Sequence, residues 1–198
     1  MKRFRLTIWL LVALAAAGLA FLLLRTQARM PVSSAPASQA SFGGPFTLVG
    51  TDGKPFQSSR LDGKPYVLFF GFTHCPDTCP TTLSRLVKLR RDLGKGDGSF
   101  NIVLVTVDPE RDGPKEMAAY SSAFGAPVIG LTGSPEQIDQ VKKQFGIYSE
   151  KVPTGGGDYT VDHTAAVLLF GRDGKFVATI SPYEQDAPAL AKLKRITA

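Results

Sequence analysis

The chain has 198 residues, 43% of them hydrophobic, and a formal charge of +6, enough for one globular domain with appendages. Residues 1–45 carry Lys2, Arg3, Arg5, Arg25 and Arg29 and no acid, so the 18 basic and 17 acidic residues that follow are nearly balanced. The basic character belongs to the N-terminal segment, and no later Lys/Arg cluster with interleaved aromatics exists, which argues against a nucleic-acid partner.

Leu6 to Leu24 is a run of 19 residues without a charge. As a helix it would extend roughly 28 Å, close to the ~30 Å thickness of a bilayer core. Lys2, Arg3 and Arg5 precede it, and the positive-inside tendency then keeps the N-terminus in the cytoplasm. Residues 1–24 therefore read as a basic cytoplasmic tip and a single transmembrane helix. The competing reading is a cleaved signal peptide, but the run exceeds the roughly 7–15 residues of a signal core. This places the chain in a bacterial inner (cytoplasmic) membrane, with the following domain in the periplasm or outside. Residues 25–43 contain Pro31, Pro36 and many Ser and Ala. They cannot bury enough surface to fold, and read as a flexible linker. Residues 44–198 form the domain.

Phe46-Thr47-Leu48-Val49, Asp52-Gly53 and Pro55-Phe56 predict a small β-hairpin. Tyr66 to Phe70 is continuously apolar, the pattern of a strand covered on both faces. Gly71-Phe72-Thr73-His74-Cys75-Pro76-Asp77-Thr78-Cys79-Pro80 follows and holds the only two cysteines of the chain. A helix then begins, with Pro80 suited to its first position and Leu83, Leu86 and Val87 on its buried face. Ile102 to Val107 predicts a second buried strand, closed by Asp108-Pro109. Pro114 opens a helix reaching about Phe124, and Val128 to Leu131 is a short strand. Ser134 and Gln137 match a capping box, with Pro135 at the first position, for a helix to Phe145. Thr154-Gly155-Gly156-Gly157 reads as a flexible stretch and Asp158 to Thr164 as a loop. Ala165 to Phe170 and Phe176 to Ile180 flank a turn at Arg172-Asp173-Gly174, and residues 187–197 read as a last helix. Strands alternating with helices imply an α/β fold, a mixed sheet with helices on both faces.

Paired cysteines in an oxidising compartment are commonly structural staples. Here the loop between Cys75 and Cys79 is tiny, so closing it constrains the unfolded chain little. The pair also sits at a strand-to-helix turn, where a helix N-terminus favours thiolate. A reversible disulfide and a redox-active pair fit that position. Two thiolates are also soft ligands that select Cu(I), or zinc where four ligands close the shell, and two sulfurs alone make a weak site that calls for a third donor. The chain has two histidines. His74 adjoins Cys75 and its ring should point away from the same centre. His163 lies far downstream, and the glycine stretch before it allows it to reach the cysteine loop, with Asp158 and Asp162 placed to orient the imidazole. Asp108, Glu110 and Asp112 suggest a cation site or, more simply, a polar loop.

Three separated segments now become specific. Gly-Phe-Thr-His-Cys-Pro-Asp-Thr-Cys-Pro, then Val105-Thr106-Val107-Asp108-Pro109-Glu110-Arg111-Asp112, then Asp158-Tyr159-Thr160-Val161-Asp162-His163, resemble the Sco/SenC family of membrane-anchored copper proteins. The resemblance covers about residues 44–198. It implies a thioredoxin-like fold, and copper ligands at Cys75, Cys79 and His163. It also implies a role in assembling the dinuclear copper centre of cytochrome c oxidase, whose copper-receiving subunit is then the partner. The family acts by delivering copper, by reducing target cysteines, or both. A copper donor or a thiol reductant is implied upstream. A thiol–disulfide oxidoreductase and a copper or redox sensor are the alternative functions.

Overall fold

The computed structural model describes residues 42–198, together with Gly18. Apart from Gly18, the expected anchor lies outside the described residues, as does the expected linker up to residue 41; its last two residues, Phe42 and Gly43, pack on the domain instead of hanging free. Among the described residues no helix is long and apolar enough to cross a membrane.

The N-terminal hairpin is β1 (Thr47–Gly50) and β2 (Pro55–Gln57), followed by a 3-10 turn at Ser58–Leu61. β3 (Tyr66–Gly71), α1 (Thr78–Asp92) and β4 (Asn101–Thr106) form a βαβ unit. α2 (Pro114–Ser122), β5 (Ile129–Thr132) and α3 (Pro135–Gln144) continue it. Then come β6 (Ser149–Gly155) and β7 (Asp158–His163), β8 (Val167–Phe170), β9 (Phe176–Ile180) and α4 (Asp186–Ile196). The main sheet has the order β2-β1-β5-β4-β3-β8-β9. β3, β4 and β5 run parallel, and the other pairings in this sheet are antiparallel.

All six residues of β3 are buried, as are five of the six in β4. A strand buried at every position must be covered on both faces, so the apolar runs of the sequence became the central pair. α1 turns Leu83, Leu86, Val87 and Leu89 inward, and Arg85 ties it to Asp186 of α4 at 2.8 Å. α3 starts as expected. Ser134 Oγ accepts from Gln137 N at 3.3 Å, and Ser134 N donates to Gln137 Oε1 at 2.9 Å.

Phe42 begins the described domain with its ring 4.7 Å from Phe176 and 6.3 Å from Phe145. Gly43 N donates to Gln144 O at 3.1 Å, and Gln144 Nε2 donates to Pro45 O at 3.2 Å. Gly43 has φ 84°, and a Cβ there would stand 3.3 Å from the Phe145 ring. Only glycine lets this segment lie so close.

Two sequence expectations changed. α1 begins at Thr78, so Pro80 is its third residue and Cys79 lies in its first turn. The stretch read as flexible and looped is instead a second, two-stranded sheet, β6-β7, paired from Ser149↔His163 to Gly155↔Asp158.

Candidate metal centre

Both cysteines enter from the junction after β3. Cys75 lies in the loop between Gly71 and α1, and Cys79 N in the first helical turn donates to Cys75 Sγ at 3.3 Å. Amides at a helix start lack helical acceptors and favour negative charge on such a sulfur. Gly71 makes room for the second thiol: a Cβ there would stand 2.9 Å from Cys79 Sγ and 3.0 Å from the Phe69 ring.

His163 arrives from the last position of β7. Its Nε2 lies 3.5 Å from Cys79 Sγ, and its Nδ1 lies 3.1 Å from Thr164 O. A carbonyl can only accept, so Nδ1 is the nitrogen that donates to it, which leaves Nε2 as the nitrogen facing the sulfurs. The rings of Phe69 and Phe72 stand edge-on to the imidazole at 6.2 and 5.8 Å.

The ligand atoms of Cys75, Cys79 and His163 all lie within 4.8 Å of one another. Metal–sulfur and metal–nitrogen bonds of about 2.0–2.3 Å keep two donors on one ion within about 4.6 Å of each other. The set therefore needs very little closing to share an ion, and two sulfurs with one imidazole form a soft donor set suited to copper.

Both thiols are free, and their environments split them. The hydrogen bond from the Cys79 side chain lowers the Cys75 pKa to about 4. His163 and the backbone N–H groups of Cys79 and Asp77 act in the same direction, while burial opposes them. The same hydrogen bond, with burial, pushes Cys79 upward. The pair thus keeps one proton on fully buried Cys79 and one negative charge on partly exposed Cys75. Cys75 opens into a cleft of about 550 Å³ bordered by Phe72, Asp77, Val152, His163 and Tyr183.

The remaining sequence candidates fall elsewhere. His74 is outside the donor cluster, with Nδ1 3.0 Å from Thr73 Oγ1. Asp158 does not orient the imidazole, since its carboxylate takes Arg111 Nη1 at 3.2 Å. Asp162 is exposed on β7, and the Nδ1 partner of His163 is Thr164 O instead. Asp108, Glu110 and Asp112 do not converge on a cation. Glu110 pairs with Lys151 at 2.6 Å, while Asp108 and Asp112 are fully buried and hydrogen-bonded. Sequence reasoning missed that these two, with Arg111 and Tyr159, form a network behind the cysteine loop. One signal was available. Asp108 follows a strand parallel to the one that carries the cysteines, and neighbouring parallel strands deliver their following loops to the same sheet edge.

The sequence profile described as SCO1/SenC matches residues 34–198. The chain belongs to the SCO1/SenC family. The structure of Bradyrhizobium japonicum ScoI with copper bound is similar, with 44% identity, a TM-score of 0.71, and coverage of 79% of this chain and 99% of that one. The mitochondrial SCO1 homolog 1 of Arabidopsis thaliana is 39% identical over 142 residues, 71% of this chain and 42% of the relative. BsSco, described as a member of the Sco family of cytochrome c oxidase assembly proteins in which a disulfide switch was identified, has 25% identity and a TM-score of 0.62. Its match covers 79% of this chain and 94% of that one. The chain spans between 42% and 63% of the length of the first curated relatives it matches. With these Sco structures the thioredoxin-like α/β fold is shown, and Cys75, Cys79 and His163 form a candidate copper site of this SCO1/SenC chain.

Proposed function

We propose that this chain is a membrane-anchored copper metallochaperone that binds copper through the Cys75 and Cys79 sulfurs and the His163 Nε2. The observation that carries the reading is the convergence of these donors, from the β3–α1 junction and from the separate β6-β7 ribbon, to within 4.8 Å. A three-donor site partly open to a cleft can pass its ion on by ligand exchange, with an incoming thiolate replacing one donor at a time. The receiving partner in this reading is the copper-binding subunit of cytochrome c oxidase, supported by the family membership and by the description of BsSco. Residues 1–24 are the cytoplasmic tip and anchor, 25–43 the linker, whose last residues Phe42 and Gly43 pack on the domain, and 44–198 the copper-binding domain on the periplasmic or outer side.

The test is copper loading of the reduced full-length chain, followed by X-ray absorption. One copper per chain with two sulfur neighbours is expected, and His163→Ala should bind it at least about tenfold more weakly. Absence of copper–sulfur scattering overturns the reading.

The depressed Cys75 thiol favours a second activity, reduction of a target disulfide. Cys75 thiolate attacks one target sulfur, and the other leaves with the bond's electron pair and takes up a proton. Cys79, once deprotonated, attacks Cys75 in the mixed disulfide and releases the second target thiol. The product is a Cys75–Cys79 disulfide, which a thiol reductant must reopen. This chemistry does not need His163, so His163→Ala should retain thiol exchange while losing copper.

A further inference from the structure

The third donor has an unusual support. His163 belongs to the two-stranded β6-β7 sheet, separate from the main sheet whose strand β3 leads into the cysteine loop. Six of the seven β6 residues are exposed, and Val161 is the one buried residue of β7. Apolar burial alone therefore holds this ribbon weakly. Something else must set where the imidazole stands relative to the sulfurs.

The loop after β4 supplies it. Arg111 Nη1 donates to Tyr159 O at 2.9 Å and to Asp158 Oδ1 at 3.2 Å, gripping the start of β7. The guanidinium lies 3.8 Å from the Tyr159 ring centre and 6.0 Å from that of Phe72. Its Nε donates to Asp108 Oδ2, and Tyr159 OH donates to Asp108 Oδ1 at 2.9 Å. Asp108 is fully buried, so its carboxylate has both oxygens engaged by the ribbon and by the residue that grips it. From there the chain of bonds continues inward. Thr106 Oγ1 accepts from Asp108 N at 2.9 Å and donates to Asp112 Oδ2 at 2.7 Å. Asp112 accepts from Thr73 N at 2.9 Å and from Thr73 Oγ1 at 2.5 Å. Thr73 is two residues from Cys75.

We infer that Asp108, Arg111 and Tyr159 form a latch that positions His163 against the two sulfurs. Arg111 is a positioning residue: it touches no donor atom and acts through the ribbon. Asp112 fixes the cysteine loop to the same frame, so both halves of the site share one buried reference point. Arg is suited to this because its fork can bond two acceptors in one plane while its face lies on a ring. This inference rests on copper ligation by His163.

The experiment uses the reduced full-length chain, with Arg111→Met, which keeps the apolar stem, and Tyr159→Phe, which keeps the ring. Hydrogen exchange is followed amide by amide without copper. In Arg111→Met the amides of residues 158–163 should exchange faster on the order of 10- to 100-fold, because charge-assisted bonds are lost. Those of β3 and β4 should change much less, and Tyr159→Phe should give a smaller change in the same residues. Copper(II)-loaded Arg111→Met should also lose or broaden the imidazole nitrogen coupling in pulsed electron paramagnetic resonance, which a role in general stability would not alter. Unchanged ribbon exchange in both variants, equal acceleration throughout the domain, or a retained nitrogen coupling despite a loosened ribbon overturns the latch. Should Arg111→Met fail to fold, Tyr159→Phe alone decides by the same two readouts. Failure of the unsubstituted chain to bind copper defeats the function reading instead, and the exchange result stands apart from it.

Discussion

Replacing Gly71 by alanine tests how tightly the site is built. Gly71 has no left-handed backbone angle, so alanine can adopt its conformation and only the added methyl matters. That methyl would meet Cys79 Sγ at 2.9 Å, the Phe69 ring at 3.0 Å and Leu104 Cδ1 at 3.4 Å. Ordinary carbon contacts begin at about 3.5 Å, so the sulfur must retreat by about half an ångström or β3 must shift. Cys79, Phe69 and Leu104 are all fully buried and have nowhere free to go. Overpacking of this kind costs about 1–3 kcal/mol, which lowers Tm by roughly 2–12 °C for a domain of this size. The displaced sulfur should also weaken copper binding about 10- to 100-fold, as loss of a group orienting a metal ligand does. Thermal unfolding of the reduced protein followed by circular dichroism gives the first number, and competition against a Cu(I) chelator gives the second. If Gly71→Ala melts within about 1 °C of the parent and binds Cu(I) equally well, Cys79 is not held against Gly71 as described.

Two further outcomes follow from other features. Alkylation of Cys75 in the reduced protein reports its thiolate; because its folded pKa is lowered to about 4, the thiolate fraction should stay high from neutral pH down and decline only as pH falls towards that value. A profile centred near 8.5, the ordinary cysteine value, would refute the assigned charge. Ser134→Ala removes the α3 capping bond and should cost about 1 kcal/mol, a Tm loss of roughly 2–4 °C. It should leave copper affinity unchanged.

The central strands were legible because burial leaves an uninterrupted apolar run, and Tyr66 to Phe70 has no other plausible place. The α3 start was legible because its cap is written in adjacent residues. The β6-β7 ribbon was not. Ser149–Gly155 is almost wholly exposed, so no alternation marks it, and it contains Pro153 and a register shift before Gly155. The three glycines that suggested slackness all have positive φ and turn the ribbon back on itself. The structure brings together the three side chains that the sequence reading singled out, but the support of His163 was misjudged. Asp158 and Asp162 lie within five residues of His163 in sequence, whereas the atom that orients the ring is a backbone carbonyl, which sequence cannot single out. Burial of Asp108 and Asp112 was hidden for the opposite reason: acidic residues beside a proline read as a surface loop until parallel strands carry them behind the cysteines.

The clasp at Phe42 has a mechanical consequence. Its ring rests beside Phe176, which pairs with Phe170, itself opposite Tyr66 at the start of β3. Gly71 and the thiols lie at the other end of that strand, roughly 17 Å away. A pull transmitted along the chain before Phe42 is thus borne first by aromatic contacts and by the bonds of Gly43 and Pro45 to Gln144. The load path ends in α3 and β9, leaving Cys75, Cys79 and His163 out of tension when the chain is pulled from that side.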